Sequence, residues 1–151
     1  MAIVSFIFRI ITGGIFLVSG LAKISDPVRF LLTLREFRLF PEVIVPFASV
    51  YLPWLEFVLG LSLVLGVMYR TSALMLAGLN ALFIIAIGSV ILRGIEVDCG
   101  CFGLVADILK LPDMADWKAV VRNVIFVGMS LVVFFGKKTV FSLESYLKRT
   151  A

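Results

Sequence analysis

The sequence predicts an all-α fold, an integral membrane four-helix bundle. Two observations carry this. Of the 151 residues, 62% are hydrophobic and 16% charged, against roughly 45–50% and 25% in soluble domains. The charges also cluster between apolar runs, as they do where loops are wet and spans are not. A soluble protein of this size has no interior large enough to hide so much apolar surface.

Four segments approach the length of about 20 apolar residues that a hydrocarbon core demands. They run from Ile3 to Leu21, Phe47 to Met68, Ser72 to Leu92 and Trp117 to Gly136. The opening MAIVSFIFRIITGG is expected to stay as a span: it lacks a charged leader region, and Arg9 interrupts the apolar stretch. The second and third spans are parted only by the residues around Arg70, which predicts an antiparallel hairpin. The whole chain reads as a single four-span domain.

Between the first two spans, Asp26 before Pro27 reads as an N-cap with proline at the first helical position. Phe30, Leu31, Leu34 and Phe37 follow at helical spacing, with Arg29, Arg35 and Arg38 among them. This predicts a short amphipathic helix over 27–39, lying at the membrane interface and closed by Pro41, with membrane lipid an expected partner of the chain. A longer loop, 93–116, joins the third and fourth spans; its LVADILKL stretch is a candidate short helix, and Asp113 or Asp116 a candidate cap for the last span.

Ionisable groups inside a span are costly and mark function by default. On the first helix, Arg9, Thr12, Gly13, Phe16, Ser19, Gly20 and Lys23 share one face by their spacing. That face suits close helix packing. Arg9 needs a partner, and Glu56 in the second span is the expected one. Asn80 in the third span and Arg122 and Asn123 in the fourth complete an expected polar centre, which either ties the helices together or binds a polar ligand head or relays protons.

Histidine is absent, removing the usual near-neutral base and the commonest metal ligand. No basic block is interleaved with aromatics, so nothing points to nucleic acid. The only two cysteines, Cys99 and Cys101, flank Gly100 in EVDCGCFG. Two thiols do not complete a four-ligand zinc site, and no metal site is expected. Cysteines two apart bridge only if the chain turns between them, a freedom that glycine supplies. Such a small ring makes a poor staple, and small strained disulfides suit exchange. Asp98 and Glu96 stand against this, because neighbouring negative charge disfavours a thiolate. Redox exchange, inert thiols and ligation therefore all remain open on the residues alone.

Three stretches resemble the MauE/DoxX group of small bacterial four-helix membrane proteins, and its MauE branch in particular. RIITGGIFLVSGLAKISDP is similar to the group's first span, with Arg9, Gly13, Gly20 and Lys23 in place. LPWLEFVLGLSLVLG is similar to its second, with Glu56, Gly60 and Gly66. DCGCFG followed by WKAVVRN resembles the cysteine loop and fourth-span entry of the MauE branch. Where the family pattern often has arginine–aspartate, this chain has Arg122–Asn123, so no carboxylate is available there. The resemblance implies thiol–disulfide exchange through Cys99 and Cys101 with a thioredoxin-like partner, and in some DoxX relatives a quinone acceptor. It further implies a bacterial inner membrane location with the cysteine loop in the periplasm. The count of basic residues favours the opposite: seven Lys/Arg lie on the cysteine side and five across the membrane. The rival functions are a non-enzymatic scaffold for redox partners and a small-molecule transporter.

Overall fold

The computed structural model describes residues 2–95 and 117–136. Five helices occupy them: α1 (Ala2–Ser25), α2 (Pro27–Phe37), α3 (Val45–Leu65), α4 (Tyr69–Arg93) and α5 (Trp117–Phe135). All but α2 are long and apolar enough to cross a membrane. Only 22% to 44% of the apolar window in each is buried within the protein, so most of its greasy surface is left to lipid. The chain is a multi-pass membrane protein.

Local chemistry sets the helix ends. Hydropathy runs on through Val67 and Met68, yet α3 stops at Leu65 because Gly66 adopts φ 73° and its N–H turns back to Leu63 O. Gly94, at φ 66°, closes α4 in the same way. α1 runs four residues past its expected end at Leu21, to Ser25, before Asp26 leaves helical geometry ahead of Pro27. The Asp26 carboxylate accepts the Arg29 N–H at 3.2 Å, the cap expected of it.

Antiparallel neighbours pack tightly in two pairs, α1 with α3 and α4 with α5. Glycine permits the first pairing. A Cβ built on Gly20 would fall 2.7 Å from the Phe57 backbone nitrogen, and one on Gly60 would fall 2.7 Å from that of Leu17. α3 and α4, joined by the short turn at Gly66–Met68, touch each other less than each touches its main partner. The pairs meet through contacts such as Phe16 on Phe126, edge to face with centroids 5.7 Å apart.

The apolar face of the expected amphipathic helix, α2, packs on protein. Phe30 and Leu34 pack with Val45 of α3, while Phe37 packs on Ala86, Ile87 and Val90 of α4 and Ala119 of α5. The helix ends at Phe37, where Arg38 turns left-handed at φ 49°, before Pro41 is reached. α2 thus spans both helix pairs and closes one end of the bundle. The same end holds the C-terminus of α4 and the N-terminus of α5, and therefore both attachments of the cysteine segment. Cys99, Cys101, the LVADILKL stretch, Asp113 and Asp116 lie outside the described residues.

Candidate functional site: a buried ion pair and polar chamber

The polar face expected on α1 exists: Arg9, Thr12, Phe16, Ser19 and Lys23 are all buried. Its register against α3 decides which groups meet. Gly20 lies against Pro53 and Phe57, and Gly13 against Gly60 and Val64. Antiparallel helices in that register place Glu56 level with Ser19 and Gly20, and Lys23 one turn beyond.

Lys23 Nζ donates to Glu56 Oε1 at 2.8 Å and to Oε2 at 2.7 Å. Glu56 is fully buried and Lys23 is 3% exposed. Ser19 Oγ donates to Oε2 at a longer 3.4 Å. Phe30 of α2 and Phe83 of α4 hold their rings 5.2 and 5.1 Å from Nζ. Cation–π attraction and two charge-assisted hydrogen bonds thus offset the loss of water around the ammonium. The pair is electrically neutral as a unit, which is what allows it below the roof formed by α2.

The expected pairing of Arg9 with Glu56 is not formed. Ten residues of α1 separate Arg9 from Ser19, about 15 Å at the helical rise. Arg9 instead lies near the other end of the bundle, with its guanidinium 5.1 Å from the Phe6 ring and 5.9 Å from the Tyr69 ring. Lys23 shares that face of α1 and supplies the cation for Glu56, enclosed beneath the roof of α2.

Beside the ion pair lies a chamber to which every spanning helix contributes. Ser19 and Lys23 come from α1, Glu56 from α3, Asn80 from α4 and Asn123 from α5, with Ile15, Phe16, Phe83 and Phe126 between them. Each asparagine donates one amide proton to its own helix, Asn80 to Leu76 O and Asn123 to Ala119 O, both at 2.8 Å. Glu56, Asn80 and Asn123 of the expected polar centre are therefore brought together. Arg9 and the half-buried Arg122 do not line the chamber.

The space open to a water centre is about 20 Å³, room for one or two waters. A quinone ring does not fit it, so no step through a quinone follows from this site.

The family model described as methylamine utilisation protein MauE matches residues 1–136, which include every described residue. The chain belongs to the MauE family. It is 29% identical over 129 residues to the methylamine utilization protein MauE of Paracoccus denitrificans, an alignment covering 85% of this chain and 67% of that one. It is 36% identical over 118 residues to the MauE of Methylorubrum extorquens, covering 77% and 59% respectively. The chain thus spans about three-fifths to two-thirds of the length of these relatives. No solved structure matches it.

Proposed function

We propose that this MauE-family chain is an inner-membrane thiol–disulfide exchange protein serving methylamine utilisation, with Cys99 and Cys101 as the exchanging pair and a thioredoxin-fold protein as partner. The observation that carries the reading is topological. The cysteine segment joins Ile95, just past the end of α4, to Trp117, the first residue of α5, and the reading takes this end to lie outside the hydrocarbon, within reach of a water-soluble partner. Membership of a family named for methylamine utilisation supports the pathway. The periplasm is the proposed side, because disulfides persist there and not in the cytoplasm.

In the exchange, a thiolate of the partner attacks one sulfur of the Cys99–Cys101 disulfide. The S–S bond breaks, the other sulfur leaves as a thiolate, and a mixed disulfide forms. The partner's second thiol then displaces the bound cysteine, so two electrons pass to this chain and the partner emerges oxidised. The reverse sequence oxidises this chain.

In the reverse direction a thiolate of this chain attacks the partner's disulfide, and the second cysteine of this chain resolves the mixed disulfide. Replacing that second cysteine by serine should therefore trap the complex, seen as a reductant-sensitive band on a non-reducing gel. Gly100→Val should slow closure of the internal disulfide and leave the helices intact. A Cys99→Ser/Cys101→Ser variant that keeps full partner function would overturn the reading and leave the segment as a docking surface.

A further inference from the structure

The two tightly packed helix pairs are joined at the chamber by polar groups whose hydrogen-bonding capacity is not used up. A carboxylate offers about four acceptor positions, and a carboxamide two donors and one oxygen. Glu56 accepts two hydrogen bonds from Lys23 and a long one from Ser19. Asn80 and Asn123 each spend one proton on a carbonyl of their own helix, which leaves each with an N–H and an oxygen. All three residues are at least 97% buried, so bulk water does not serve these remaining groups. Polar groups left unmatched there would each carry a desolvation cost.

We propose that the chamber is a water-binding site, in which one or two water molecules link the Lys23–Glu56 pair on α1 and α3 to Asn80 and Asn123 on α4 and α5. Water suits the mismatch because it both accepts from an amide N–H and donates to an amide or carboxylate oxygen. The volume of about 20 Å³ meets the requirement of roughly 10–15 Å³ for one water, and the site offers the two to four polar partners a buried water needs. The consequence is mechanical. α1/α3 and α4/α5 would be coupled through an exchangeable joint, in addition to the apolar contact of Phe16 with Phe126. This inference does not depend on the thiol chemistry.

The alternative is a dry chamber, for which the aromatic walls Phe16, Phe83 and Phe126 are suited, and the two states behave differently. In films of the full-length protein in lipid, exchange of ordinary water for oxygen-18 water should shift a sharp O–H stretching band, and that band should be absent from Asn80→Leu/Asn123→Leu. Each single leucine variant should lower the melting temperature, with the double loss smaller than the sum because the two residues share the water. Leucine variants that melt at or above the wild-type temperature would overturn the proposal. If the double variant does not fold, the wild-type chain supplies the test, since dry apolar cavities take up xenon. Crystals under xenon pressure should show none in the chamber, and xenon beside Phe126 would mean that the chamber is dry.

Discussion

Lys23 on α1 binds both carboxylate oxygens of Glu56 on α3, at 2.8 and 2.7 Å, and the two close around each other away from water. Such a pair is weak evidence of stability in itself, because desolvation offsets much of the attraction. Removing one partner is another matter, since a lone charge then stays buried. Lys23→Met and Glu56→Leu should each cost about 3–5 kcal/mol, and the double variant should lose much less than the sum. Arg9→Met combined with Glu56→Leu should instead give additive losses, as sites more than about 7–10 Å apart usually do. Unfolding by denaturing detergent on the three single and two double variants would check both statements. Coupling between Arg9 and Glu56, with none between Lys23 and Glu56, would contradict the register.

The α1–α3 register rests on glycine, and that too is testable. A Cβ at Gly60 would lie 2.7 Å from Leu17 N and 2.9 Å from Gly13 O. Both are backbone atoms, which yield only if the helices separate. Gly60→Ala should cost about 1–3 kcal/mol, the usual range for overpacking, and Gly20→Ala a similar amount. Gly14→Ala and Gly78→Ala have nothing within 4 Å to meet and should change stability little. If all four variants melt alike, the close approach of α1 and α3 is wrong.

These two predictions also mark what was legible in the sequence. The four spans were, because an uninterrupted apolar run has few other uses, and the buried face of α1 was, because helical spacing fixes which residues share a side. Depth was not. Glu56 meets Lys23 and not Arg9 because Gly20 and Gly60 set how far α1 slides along α3, and a list of apolar residues on two helices carries no such register. The environment of α2 was hidden for a related reason: Phe30, Leu34 and Phe37 make the same periodic stripe whether lipid or protein covers it. Asn80 and Asn123 were legible as polar groups in grease, but only packing shows that they share a chamber. The cysteine pair is a reading of sequence alone.

The roof over the ion pair depends on a helix of eleven residues, short enough for its cap to matter. Asp26→Ala removes the acceptor for the Arg29 N–H and should lower stability by about 1 kcal/mol, whereas Asp26→Asn, also a good N-cap, should retain most of it. If α2 frays, Phe30 leaves Lys23, and amine-reactive reagents should modify Lys23 faster in Asp26→Ala than in the wild type. Equal rates in the two proteins would mean that the cap does not hold the roof in place.

The alternation of the four spans makes a final prediction that does not depend on which way the protein faces. α2 and both attachments of the cysteine segment lie at one end of the bundle, and the turn around Met68 lies at the other. In a Cys99→Ser/Cys101→Ser background, single cysteines at Arg38, which is exposed, and at Met68, 63% exposed, report the two ends. A membrane-impermeant maleimide applied to intact spheroplasts should label native Cys99 or Cys101, after mild reduction, under the same conditions as Arg38→Cys. Met68→Cys should show the opposite accessibility and label only once the membrane is opened, if the cysteines face the periplasm as proposed. Reversed labelling of all three would keep the fold and move the segment to the cytoplasm, where a stable disulfide is disfavoured and the exchange reading loses its compartment. Labelling of Met68→Cys together with the native cysteines would mean that an even number of helices crosses between them, and the four-span arrangement itself would fail.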